Sequence, residues 1–245
     1  MEPIKNIIQE KEEQPKPSAQ VRLKISEKSN CNLAKEIFWQ HANRTAKREL
    51  KQEYSIDDEN RDAVVAIVAY FTGNYEVCEQ YNIDPRKGII IFGNPGSGKS
   101  MLFRILKECV QSEKTVEIDE GKLALEKQLF RRMSFHTCEH MAKFFMLKGE
   151  SELHRFGKDS VKNICFDDLG AEELRNNFGN KKEVMVDLIN ERYDLFLSSG
   201  LLTHFTTNLS PDEIEDRYSK RIRSRLKHMC NIISLGTGEK YIDRR

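Results

Sequence analysis

Gly93-Asn94-Pro95-Gly96-Ser97-Gly98-Lys99-Ser100 constrains this chain more than any other stretch. It fits GxxxxGK[ST] at every fixed position, and it follows the short apolar run Gly88-Ile-Ile-Ile-Phe92. A β-branched run of that kind reads as a buried parallel strand, and the residues from Lys99 to about Gln111 read as a helix. Strand, glycine-rich turn and helix in this order form a cradle for phosphate. Glycines let the backbone wrap tightly, successive N–H groups point at phosphate oxygens, and the helix N-terminus adds a favourable dipole. In such a loop Lys99 reaches the β- and γ-phosphates of a nucleoside triphosphate, and the Ser100 hydroxyl ligates Mg²⁺. Gly93, Asn94, Pro95, Gly96, Ser97, Gly98, Lys99, Ser100 and Met101 are therefore the expected ATP-contacting residues.

A phosphate loop needs a carboxylate for its metal. Lys162-Asn163-Ile164-Cys165-Phe166-Asp167-Asp168 supplies an apolar strand, expected over Val161–Phe166, that ends in two acids. At the carboxyl edge of a parallel sheet Asp167 is placed to hold Mg²⁺, directly or through water, and Asp168 to orient or deprotonate the attacking water. A surface Asp-Asp turn is the alternative.

The rest of the chain alternates in the same sense. Strands are expected at Met133–His136, Leu201–Thr207 and Cys230–Leu235, and helices at Cys138–Leu147, Glu183–Leu197 and, for the most part, Pro211–His228. Alternating strands and helices call for a parallel sheet covered on both faces. The 245 residues suffice for one α/β core with length to spare. That surplus lies at the front: Met1 to about Asn30 is rich in Lys, Glu, Gln, Ser and Pro and reads as a mobile or partner-ordered arm. A helix is expected over Leu33–Tyr54 as a docking element, and Ser55 with Asp57, Asp58 and Glu59 as the start of the helix that holds Ala63–Phe71. The expected division is therefore 1–54, arm and partner-binding helix, and 55–245, nucleotide-binding domain.

Charge excludes some partners and leaves others to local patches. Lys and Arg number 40 against 39 Asp and Glu, so no global field attracts nucleic acid or membrane. The longest uncharged apolar run, Ala63–Phe71, is far below the ~20 residues of a membrane span. The N-terminus lacks the apolar core of a secretory signal, and the 6 cysteines contain no CxxC pair. A cytoplasmic protein with reduced thiols is the expectation.

Taken in order, the motifs resemble those of the AAA+ ATPases of the DnaC-type helicase loaders and the IstB-type transposition ATPases. The resemblance runs from about Asp58 to Leu235. It rests on Gly93–Ser100, Phe166-Asp167-Asp168-Leu169-Gly170, Leu188-Ile189-Asn190-Glu191-Arg192-Tyr193, Phe205-Thr206-Thr207-Asn208-Leu209 and Arg221-Ile222-Arg223-Ser224-Arg225-Leu226. It implies a three-layer AAA+-like sandwich on a five-stranded parallel sheet. It also implies that Asn208 is the sensor-1 residue that hydrogen-bonds the γ-phosphate or lytic water, a role a neutral amide can fill because it both donates and accepts. Arg225 is implied as the finger entering a neighbouring subunit's ATP site, where a guanidinium stabilises spread phosphoryl charge; a solvated basic face or a nucleic-acid patch is the alternative. Arg192 is implied to face an adjoining subunit, with an ordinary helix-end cation as the alternative. No helical lid carrying sensor 2 is expected after Leu235, in keeping with the resemblance, since these loaders lack one. ATP, Mg²⁺, a replicative helicase or other DNA-processing enzyme held through residues 1–54, and homo- or hetero-oligomer formation complete what the resemblance implies. An IstB-like regulator of a transposase, a non-hydrolysing ATP-bound adaptor and, more weakly, a P-loop kinase stay open.

Two further stretches have plain alternatives. His136-Thr137-Cys138-Glu139-His140 spells HxxEH, a zinc-protease pattern read backwards, but it falls where a strand hands over to a helix and has no convincing third ligand. The segments Glu172–Glu183 and Lys148–Lys158 are candidate contacts for single-stranded DNA, with solvated loops as the alternative.

Overall fold

The computed structural model describes residues 28–112, 130–173, 175–177 and 180–236. The described elements follow one another as α1 (Lys28–Leu50), α2 (Arg61–Thr72), α3 (Tyr75–Gln80), β1 (Gly88–Phe92), α4 (Lys99–Ser112), β2 (Ser134–Thr137), α5 (Cys138–Lys148), α6 (Glu150–Leu153), β3 (Ile164–Leu169), β4 (Arg175–Asn177), β5 (Asn180–Lys182), α7 (Val184–Ser199), β6 (Thr203–Thr207), α8 (Pro211–Tyr218), α9 (Lys220–Met229) and β7 (Cys230–Ser234). Residues 1–27 of the arm expected to about Asn30, and most of the polar stretch 112–132, lie outside the described residues.

Five strands form one sheet in the order β2-β3-β6-β1-β7, and every pairing in it is parallel. The expected α/β class and five-stranded parallel sheet are therefore present. Strands this apolar must be covered on both sides, and two clusters of buried side chains do so. On one face Ala34, Phe38 and Ala42 of α1 join Ile67 and Phe71 of α2 and Leu102, Phe103 and Leu106 of α4. On the other, Met141 and Phe145 of α5 pack with Leu188 and Ile189 of α7, Ile214 of α8, and Ile222 and Leu226 of α9. Since all five strands run the same way, the turns after β1, β3 and β6 open at a single edge, where open parallel sheets bind ligands.

Several element bounds differ from expectation, each for a physical reason. Pro211–His228 is two helices. Ser219 breaks it with φ 114°, and the Ser219 hydroxyl accepts from the Ile222 N–H to start α9. The segment Glu172–Glu183 carries the antiparallel pair β4 and β5. Strand β3 starts later than expected and runs through both acids to Leu169. The helix expected over Leu33–Tyr54 is α1, and its apolar stripe belongs to the main core, so packing spans the expected seam at residue 54. Polar pairs fix the same contact: Thr45 donates to Glu108 of α4 at 3.0 Å, Arg48 bridges Glu108 at 2.7 Å, and Arg104 of α4 bridges Glu49 at 2.9 Å. Trp39 remains 43% exposed on the outer side of α1. No helix among the described residues is long and apolar enough to cross a membrane.

Candidate functional site

The loop after β1 is shaped by its glycines. Gly96 and Gly98 have φ of 85° and 96°, the left-handed turns from which concave nests of backbone N–H groups are built. Gly93 is needed for a different reason, because a Cβ there would lie 1.9 Å from the Leu235 carbonyl oxygen. Lys99 opens α4 with its side chain folded into this loop and 4% exposed. Its ammonium donates to the carbonyls of Gly93 (2.7 Å) and Asn94 (2.8 Å), to Ser97 Oγ (3.3 Å) and to Asn208 Oδ1 (2.8 Å). Burial lowers the Lys99 pKa from its ordinary value, and the nearby Asp168 and Asp167 carboxylates oppose that shift.

Two strands away, β3 delivers the acids through an irregularity. Phe166 pairs with Phe205 and Leu169 with Thr207, so Asp167 and Asp168 together oppose the single residue Thr206. An extra residue of this kind re-aims the side chains beside it, a common arrangement next to active sites. Asp168 takes φ 57°, unusual for a residue with a Cβ. Asp167 is fully buried; its Oδ1 accepts from Thr206 Oγ1 at 2.6 Å, while its Oδ2 is buried with no hydrogen-bond partner. Burial and the charge of Asp167 raise the Asp168 pKa above the usual carboxylate value, against the pull of Lys99 and Arg104.

These groups border a cleft of about 350 Å³ lined by Pro95 to Met101, Arg104, Asp168, Asn208 and Leu235. Residues near the end of α1 and after it, among them Glu49, Gln52, Tyr54 and Ser55, line the same cleft. The structure thus brings together Lys99, Ser100, Met101, Asp168 and Asn208 around one cleft. Asp167 sits directly behind them. Gly93 and Asn94 contribute through carbonyls that accept from Lys99. Asn208 directly follows β6, the strand paired with both β1 and β3.

Arg225 is elsewhere. On α9 it lies over the Tyr193 ring, 4.8 Å from the centroid, and donates to Asn190 Oδ1 of α7; it does not line the cleft. Arg223 is held by Asp212 at 3.1 Å and Glu215 at 2.8 Å. Arg192 corrects an expectation. It does not face outward but is fully buried, with Nε donating to Thr203 Oγ1 and Nη2 to the Leu202 carbonyl, both at 2.8 Å, and burial lowers its pKa to about 10. The HxxEH side chains are engaged with their surroundings: the His136 ring meets Phe156 edge-on at 4.8 Å, and Glu139 bridges Lys143 at 3.2 Å.

Two features went unread in the sequence. Thr206 touches both acids. Arg104 and the 49–55 segment complete the cleft from the N-terminal side. The signal for Thr206 was available, since β6 is buried along its whole length yet reads Thr-His-Phe-Thr-Thr, and buried polar groups need partners.

Ser100 and Asp167 offer a hydroxyl and a carboxylate, the hard oxygen donors Mg²⁺ takes, and the unpartnered Oδ2 of Asp167 is a buried acceptor without a donor. The residues present fit the metal.

No protein-family model matches the chain, and no curated protein does. Solved structures to which it is similar include the DnaC helicase loader, at 19% identity over 79% of this chain and 99% of that one, TM-score 0.49. A protein described as a primosome component from Streptococcus pyogenes serotype M3 has 20% identity over 78% and 86%, TM-score 0.48. AMPPCP-bound DnaA from Aquifex aeolicus has 17% identity over 77% of this chain and 50% of that chain, TM-score 0.48.

Proposed function

We propose that the chain binds ATP with Mg²⁺ in the cleft below the Gly93–Ser100 loop and hydrolyses it as a conformational switch of the helicase-loader kind. One observation carries the reading. The Lys99 ammonium lies 2.8 Å from Asn208 Oδ1 and lines one cleft with Asn208 and Asp168, so three separate motifs meet at one sheet edge.

Each residue has a task that follows from its place. The loop N–H groups and the N-terminus of α4 receive phosphate oxygens, and Lys99 trades loop carbonyls for phosphate. Ser100 and Asp167 hold Mg²⁺, which when bound neutralises charge on the phosphates. Asp168, half-buried and facing the cleft, orients the attacking water and takes its proton. Its raised pKa brings it nearer to that of a base working at neutral pH. Asn208 can donate to the γ-phosphate or the water through its amide nitrogen. The 49–55 segment borders the same cleft.

Arg225 is proposed to act on a neighbouring protomer. Its contacts with Tyr193 and Asn190 hold it on the opposite side of the sheet from α4, where it can serve another chain's nucleotide but not its own. Replacing Arg225 with Ala is expected to leave ATP affinity of the isolated protomer unchanged and to slow hydrolysis in the assembly by ~10³ or more. The expected partner is a replicative helicase or other DNA-processing enzyme held through residues 1–54, of which α1 presents the exposed Trp39. Single-stranded DNA is a candidate activator. ATP titration by calorimetry with and without Mg²⁺ tests the central claim: magnesium-dependent binding supports it, and its absence would end it.

A further inference from the structure

Thr206 meets both acids of the site, Asp167 through its carboxylate and Asp168 through its backbone nitrogen. It lies on β6, between β1 and β3, opposite the irregularity that lets two residues of β3 face one of β6. Its hydroxyl oxygen is 2.6 Å from Asp167 Oδ1 and 2.8 Å from the Asp168 nitrogen. A hydroxyl has a single hydrogen, so the directions are determined: the hydrogen goes to the carboxylate, and a lone pair takes the Asp168 N–H.

Each bond has its own consequence. The first occupies Oδ1 and fixes the Asp167 carboxylate so that Oδ2 is the oxygen left over. The second anchors the Asp168 backbone in its left-handed turn, which aims that carboxylate into the cleft. Thr207 pins the other end of the irregularity, donating to the Leu169 carbonyl at 2.7 Å and accepting from the Leu209 N–H at 3.0 Å. It touches neither acid.

We propose that Thr206 is the positioning residue of this site: one hydroxyl sets the metal-holding carboxylate and the water-activating carboxylate in register. The proposal rests on the magnesium–ATP reading above. It predicts a split that a merely structural threonine does not produce. Phosphate contacts made by the loop and Lys99 are independent of Thr206, whereas the gain in affinity from magnesium and the turnover both pass through the two acids.

The test uses the full chain in three forms, wild type, Thr206→Val and Thr206→Ser, with ATP titrated by calorimetry in excess Mg²⁺ and in EDTA, phosphate release measured in parallel, and folding checked by circular dichroism. Val keeps the shape and removes both bonds. The expected result is an EDTA affinity within about 2-fold of wild type, loss of about 10-fold or more of the magnesium-dependent gain, and a larger loss of turnover. Ser should restore both. Should the Val protein fail to fold, Thr206→Cys, similar in volume with a weaker donor, is read in its place and should fall between wild type and loss. A folded variant without the hydroxyl that keeps the wild-type magnesium gain and turnover would overturn the proposal, as would a Ser variant impaired like Val. If the wild type itself gains nothing from magnesium, it is the underlying site reading that fails.

Discussion

Strand β6 carries a buried polar cluster at each end, and the two differ in what they can do. At its start, Thr203 and the Leu202 carbonyl accept from Arg192, which α7 drives into the core. At its far end, Thr206 and Asn208 meet Asp167, Asp168 and Lys99. Each cluster leaves one buried polar atom without a partner, Nη1 of Arg192 and Oδ2 of Asp167. Burial of a charged group beside a threonine therefore does not by itself mark a site. The far end differs in opening onto a cleft, in having charges of both signs, and in holding Asp168 in a strained backbone. The start is sealed: Arg192 is fully buried and does not line that cleft.

Substitutions at the two ends should separate accordingly. Asp168→Asn is expected to reduce ATP turnover by ~10²–10⁴, the range for a lost general base, while ATP still binds; phosphate release at saturating ATP measures it. Lys99→Ala should weaken magnesium–ATP binding by ~10²–10³, since charge-assisted hydrogen bonds to phosphate are lost. Arg192→Ala should act only on the fold, lowering stability by ~2–4 kcal/mol through unpaired groups and a cavity in the core, and leaving ATP affinity within about 2-fold. Denaturant melts and calorimetry on the same sample decide that point. If folded Arg192→Ala protein lost ATP affinity as Lys99→Ala does, the contrast between the two ends would be wrong.

The smallest effect concerns pH. The folded-state pKa of Asp168 is raised by burial and by Asp167, so its contribution to stability is present at low pH and lost as pH rises through the folded value. At neutral pH the charged carboxylate opposes folding. Asp168→Asn should therefore raise the melting temperature by a few degrees near neutral pH, helped by the tolerance of Asn for left-handed backbone. The pH-dependent part of that gain should shrink as pH falls toward the ordinary carboxylate value of 3.8. Melting curves across that range, recorded without nucleotide, read it directly.

Much of this site was legible in the residues. The loop, Asp168 and Asn208 lie where their order along the chain suggested, because a parallel sheet sends the ends of β1, β3 and β6 to the same edge whatever the loops between them do. Element bounds were less legible. Pro211–His228 looked like one helix because nothing in its composition announces the φ of 114° at Ser219. Arg192 misled for a related reason: the resemblance turned it toward an adjoining subunit, and only the packing of α7 against β6 shows that it points inward from the middle of that helix. The last stretch of α1 looked like the tail of a docking helix because its charged residues, Arg48 and Glu49, gave no hint that their partners, Glu108 and Arg104, lie on α4.

Residue order and pattern alone were enough for the glycine-rich loop, the pair of acids, the strand-and-helix alternation and hence the sheet edge where they gather. These follow from local rules: glycine where the backbone must turn the wrong way, apolar β-branched residues where a strand is covered on both faces, and a fixed edge for the turns of parallel strands. That Thr206 faces two acids, that Arg192 is internal and that the end of α1 lines the cleft emerged from the packed chain alone. Each depends on residues distant in the chain meeting in one register, and a hydrogen bond or a buried face exists only after both partners have been brought together.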